Sequence, residues 1–146
     1  MQKPLFARIV APVAIAVAAA ACGSDSPMTT AAPTTINLGG AWTGTWQFLT
    51  AGVTVTDTVT ATLTQSGSQV TAGWTAASGA TGTLAFAAAA GFTGPFTINE
   101  PALGFTCTGS GQASGTAAVD ALAFDVPSIG GSGCQWSTNN HFALHR

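Results

Sequence analysis

The sequence predicts an all-β fold: a small up-and-down antiparallel β-barrel of about eight strands, with a β-sandwich as the alternative. The first observation is alternation. Val53, Val55, Val59, Ala61 and Leu63 take every second position, with Thr54, Thr56, Thr58, Thr60, Thr62 and Thr64 between them, the pattern of a half-buried strand. The second is rhythm, since short runs of this kind are separated by Gly, Pro, Asn or Asp turn signals, which favours sequential antiparallel pairing. The third concerns edges. Open sheets guard their edge strands with Lys, inward charges or Pro, yet these strands contain no Lys; closing the sheet removes the edges altogether.

Each element follows in order. The opening strand carries Trp42, Trp46 and Phe48 on one face. The second runs from Val53 to Thr64, with Asp57 interrupting its apolar face as a rim or bulge residue or as a buried ligand-orienting carboxylate. Gly67-Ser68 forms a tight turn into a third strand, in which Val70, Ala72, Trp74 and Ala76 alternate with Thr71, Gly73 and Thr75, so the second and third strands make a hairpin. Further strands are expected over Gly82–Ala88, Phe92–Ile98, Phe105–Ala118, Ala121–Val126 and Cys134–Arg146, with Glu100 and Asp120 in loops. Residues 67–86 and 110–124 echo each other loosely, which Thr/Ala/Gly-rich sequence produces easily and which is no repeat.

Ahead of this domain, MQKPLFARIVAPVAIAVAAAAC has a basic start at Lys3 and Arg8, an apolar run from Ile9 to Ala21 too short to span a membrane as a helix, and small residues before Cys22. This layout resembles a bacterial lipoprotein signal peptide over residues 1–21. The resemblance implies cleavage ahead of Cys22, which would carry thioether-linked diacylglycerol and an N-terminal acyl chain such as palmitate. Such signals usually place Leu where Ala19 stands, and Ala19-Ala20-Ala21 also suits an ordinary signal peptidase; the alternative is a secreted soluble protein. Gly23 follows the cysteine in place of the Asp that retains many lipoproteins at the inner membrane, so the resemblance implies an exported protein anchored at the outer membrane of a Gram-negative cell. Several acyl chains would make that anchoring stable. Residues 22–37 then read as the lipidated Cys and a flexible Ser/Thr/Ala/Pro-rich tether, about 15 residues reaching on the order of 20 Å, before the domain at 38–146.

Loss of residues 1–21 would leave Arg146 as the one basic residue against Asp25, Asp57, Glu100, Asp120 and Asp125. Nucleic acid is therefore no partner, because phosphate neutralisation needs several Lys or Arg in a patch. The membrane would be reached through the lipid anchor, not through anionic headgroups.

Gly40-Ala41-Trp42 followed by Gly44-Thr45-Trp46 resembles the G-x-W opening strand of the calycin superfamily, which includes lipocalins, avidins and small bacterial protease inhibitors. In those barrels the opening Trp sits at the closed end under a basic side chain from the last strand. Here alternation puts Phe142, Leu144 and Arg146 on one face, so the resemblance assigns Trp42 and Arg146 a structural cation–π pairing. With no Tyr in the chain, the T-D-Y motif of lipocalins is missing, and no biotin contact of avidins can be placed.

Candidate ligand-binding residues are Trp46, Trp74, Trp136 and Asp57, since aromatic walls with few polar groups characterise small-molecule sites; core packing is the competing role of each Trp. An interior lined by many Ala could leave room for one small ligand. Cys107 and Cys134 form an even pair in an exported domain and are read as a disulfide. His141 and His145 share a strand face about 13 Å apart, too far to grip one metal ion. No nucleophile elbow or acidic pair supports catalysis, and no cofactor or metal is called. The functional expectation is a lipid-anchored, non-catalytic binding module for a small apolar ligand or an envelope protein partner. The alternatives are a structural or protease-inhibitor-like lipoprotein with a filled barrel, and an integral outer-membrane barrel with apolar side chains facing out.

Overall fold

The Thr-separated apolar runs become long strands in the computed structural model, which describes residues 35–101, 106–134 and 138–146. Residues 1–21, read from sequence as a signal peptide, Cys22, most of the stretch read as a tether, Phe105 and Trp136 lie outside the described residues. The strands are β1 (Gly40–Thr50), β2 (Val53–Ser66), β3 (Gln69–Ala76), β4 (Thr81–Ala87), β5 (Gly91–Glu100), β6 (Cys107–Ala117), β7 (Ala121–Ser128), β8 (Gly130–Ser132) and β9 (Thr138–His145). Antiparallel neighbours run β1 to β7 in chain order, β9 pairs with both β7 and β1, and the sheet closes as a barrel of eight strands. The architecture is consistent with a calycin-like fold.

β8 is the strand that periodicity did not mark. It pairs with the start of β6 through Thr108↔Ser132 and Ser110↔Gly130, while β7 pairs with the end of β6 through Ser114↔Asp125 to Ala117↔Leu122. Between the two ladders stands Pro127, which has no N–H to donate, and the glycines of β8 present no apolar alternation to read.

The alternation resolves with apolar side chains inward. Trp42, Trp46, Val59, Leu63, Val70, Trp74, Leu84, Phe96, Leu122, Phe124, Phe142 and Leu144 are buried in one core. Thr side chains face out, in cross-strand series such as Thr43↔Thr60, Thr60↔Thr75 and Thr75↔Thr81. This is the reverse of the apolar-out, polar-in arrangement of a membrane-spanning barrel, and the reading as an integral outer-membrane barrel is corrected accordingly.

At some inward positions of the barrel wall neighbouring backbones come too close for a side chain. A Cβ at Gly44, between Trp42 and Trp46, would run into the carbonyl oxygen of Ala143 on β9; one at Gly94, between Phe92 and Phe96, would run into that of Ala85 on β4. Neighbouring backbones approach so closely there that only glycine fits. The β1–β2 turn imposes a different demand, since Ala51 (φ 47°) and Gly52 (φ 79°) both adopt the left-handed conformation of a two-residue hairpin loop.

Candidate functional site

The barrel has two unlike ends. The chain enters at one of them, and Trp42 closes it. Trp42 donates from Nε1 to the carbonyl of Leu38 at 3.0 Å, and the Arg146 guanidinium carbon lies 4.9 Å from its ring centre. Arg146 also donates from Nη2 to the carbonyls of Asn37 (3.1 Å) and Gly39 (2.8 Å). Gln65 completes the closure, accepting from Leu38 N–H at 2.7 Å and donating to the Ile36 carbonyl at 2.9 Å. The entering segment is thereby sewn to both β2 and the C-terminal residue.

Above this end the interior is filled with rings. Trp46 stacks on Phe48 (centroids 4.4 Å apart) and on Phe142 (5.7 Å), Phe142 on Phe124 (4.6 Å), and Trp74 on Phe96 (5.5 Å). Phe86 stacks on Phe92 at 4.2 Å and so extends the series toward the β4–β5 turn. Trp46 and Trp74, candidate ligand residues by sequence, are thus brought together at 5.8 Å, but as buried members of this stack. The inward Ala61 lies between Trp42 on β1 and Trp74 on β3, so there the small side chain is offset by rings on both neighbouring strands.

Among the described residues two buried polar side chains, Asn140 and Glu100, interrupt the apolar interior, and neither was singled out from sequence as a site residue. Asn140 on β9 accepts from Trp46 Nε1 at 3.0 Å and donates from Nδ2 to the Val126 carbonyl at 3.2 Å, linking β1, β9 and β7. Its signal was present, for Asn140 takes an inward position in the same alternation as Phe142 and Leu144. Glu100, read as a loop residue, instead ends β5 with its side chain inward and is 1% exposed. The Pro101 that follows it suggested a loop, whereas the inward alternation of Phe92, Phe96 and Ile98 continues to Glu100 itself.

Glu100 belongs to the second end, opposite the chain entry. Ser78 in the β3–β4 turn donates from Oγ to Glu100 Oε2 at 3.4 Å and from its backbone N–H to Asp57 Oδ2 at 3.0 Å. Asp57 also accepts from Thr58 N–H at 2.7 Å. Its half-buried carboxylate therefore sits on the rim and holds a turn. Cys107, opposite Glu100 in the β5–β6 ladder, forms a disulfide with Cys134 and pins the segment after β8 to the start of β6. One further group stands out: the buried Nε1 of Trp74 has no hydrogen-bond partner among the described residues. Leaving a buried donor unmatched costs about 1–3 kcal/mol.

The outer wall is chemically plainer. Strands β1 to β6 present mainly Thr, Ser, Ala, Gly, Gln and Asn outward, with Val53 and Pro95 as exposed apolar exceptions, and between β7 and β9 His141 Nδ1 meets Asp125 Oδ1 at 2.7 Å in an exposed pair. Comparison of the chain with protein-family models, with curated proteins and with solved structures finds no match.

Proposed function

We propose that this protein is a lipid-anchored cell-envelope protein whose non-catalytic, solid barrel presents its far rim to a protein partner. The observation that carries this reading is the ring stack. Where Trp46, Trp74, Phe96, Phe124 and Phe142 occupy the interior, a partner is met by loops and rim, not by a deep pocket. The rim suits such a role, because the disulfide and the Asp57–Ser78 contact hold the segments that frame it. The lipid anchor is supported by the layout of residues 1–22, and the entry of the chain at the Trp42 end leaves the opposite rim free to face a partner.

The resemblance to small protease-inhibiting barrels supplies the partner class to test first. Inhibition constants against a panel of envelope and secreted proteases are the measurement; nanomolar inhibition of one class, lost when Asp57 and Ser78 are replaced by Ala, supports the reading. A panel without inhibition at micromolar protein removes the inhibitor role. Fractionation of a Cys22→Ser variant tests the anchor, which requires that the variant leave the membrane fraction.

A second reading, a small apolar ligand with one hydrogen-bond acceptor, is favoured by the unmatched Trp74 indole N–H alone. Native mass spectrometry of protein purified from its own cells decides it. A co-purifying small molecule supports a ligand, and a bare mass removes it.

A further inference from the structure

We infer that the chain-entry end of the barrel is a second membrane contact, in which two apolar turns rest on neutral lipid beside the acylated N-terminus. The inference rests on the lipid-anchor reading above. Turn tips ordinarily favour Gly, Asn, Asp or Ser. The β4–β5 and β6–β7 turns instead expose Ala87, Ala89, Ala90, Ala118, Val119 and Ala121. They form one surface, because Ala117 N–H donates to the Ala90 carbonyl at 2.9 Å.

The place of this surface identifies what covers it. Arg146 donates from its backbone N–H to the Asp120 carbonyl at 3.4 Å and from its guanidinium to the Asn37 carbonyl at 3.1 Å. The apolar turn and the point where residues 1–34 join the barrel are therefore two residues' reach from a shared partner. Any bilayer that holds Cys22 is tethered to this end. A short tether supplies an effective concentration in the millimolar range, so a contact of one Val and a few Ala is populated even when its own affinity is only millimolar. Charge selects the lipid. Asp120 lies in the turn and Arg146 is the one basic side chain after residue 21, so the surface fits zwitterionic headgroups and not anionic ones.

The molecule supplies its own control. Val119 is 62% exposed at this end, and Val53, the first residue of β2, is 61% exposed at the other. With Cys107 and Cys134 bonded and Cys22 acylated, Val119→Cys or Val53→Cys carries a single free thiol in the full-length lipidated protein. Each is reconstituted on phosphatidylcholine vesicles and labelled with a membrane-impermeant maleimide, and the same two variants are labelled in the soluble Cys22→Ser background. The expected result is equal labelling in solution and a several-fold slower rate for Val119→Cys on vesicles, with Val53→Cys unchanged. An Ala90→Cys reporter is expected to be protected likewise, and to regain its solution rate when Val119→Asp is added. Equal rates for Val119→Cys and Val53→Cys on vesicles that the protein floats with overturn the contact while leaving the anchor intact. Protein that does not float with the vesicles overturns both.

Discussion

Asn140 ties three barrel strands through buried polar atoms, and its removal has a magnitude that follows from two distances. Asn140→Leu keeps the branched shape of the side chain but removes the partner of the Trp46 indole N–H, now 3.0 Å from Oδ1, and of the Val126 carbonyl, now 3.2 Å from Nδ2. At the middle of a range of about 1–3 kcal/mol each, the two orphaned groups cost about 4 kcal/mol together, and the gain from burying a Leu is at most about 2 kcal/mol, so a net destabilisation of about 2–4 kcal/mol is expected. Trp46→Phe removes the donor from the other side and leaves Oδ1 without it, at a similar cost that includes the lost ring volume. The double variant removes both partners of one bond. Its destabilisation is therefore expected to fall short of the sum of the singles by at least about 1 kcal/mol. Urea unfolding of the soluble Cys22→Ser protein, followed by far-UV circular dichroism, yields the three free energies. Additivity within about 0.5 kcal/mol would refute the claim that this hydrogen bond operates in the folded barrel.

Four further outcomes are expected. Gly44→Ala, which would drive a methyl group into the Ala143 carbonyl and to within 2.8 Å of Leu144 Cα, is expected to cost about 3 kcal/mol and to lower the thermal midpoint by at least about 10 °C; a near-neutral midpoint contradicts the close β1–β9 approach. Ala51→Asn should raise the midpoint, with a gain of about 0.5–1 kcal/mol, because Asn tolerates the left-handed conformation that Ala adopts there. Replacing Cys107 and Cys134 by Ala opens a loop spanning 27 residues and is expected to cost roughly 3–4 kcal/mol, read from chemical denaturation against the oxidised protein. Trp74→Phe removes a buried donor that has no partner among the described residues, so it is expected to cost at least about 1 kcal/mol less than Trp46→Phe; equal costs would show that the Trp74 indole is hydrogen-bonded after all.

The strand pattern was legible because one residue type wrote it. Thr at alternate positions of β2 marks the outward face so regularly that the strand follows from the period, and the Gly67-Ser68 turn then gives its hairpin with β3. Closure was legible through the missing Lys, a statement about edges. What stayed hidden is whatever depends on neighbours distant in sequence. Gly44 and Gly94 look like weak strand residues until the opposing carbonyls of Ala143 and Ala85 are placed. Ala-rich inward positions suggested a hollow interior, yet the volume at any level is set by several strands together, and rings from β1, β3, β5, β7 and β9 fill it. Glu100 was obscured by the Pro after it, and β8 by three residues with no apolar period. The rim was half visible, in that Asp57 stood out as a break in an apolar face, while its partner Ser78 gave no sign.

The β1–β9 ladder also bears on how the barrel comes into being. Trp46 and Asn140 bond across 94 positions, and the two strands that close the sheet are the first and the last. Contacts so remote in sequence make folding slow, because the chain must form its loops before the closing ladder repays them. The hairpins of β2 to β5 can assemble early, but Trp46 finds its Asn140 only when β9 has emerged. Under the export proposed for this chain that delay would be useful, since the polypeptide would remain free to translocate until its closing strand arrived on the far side.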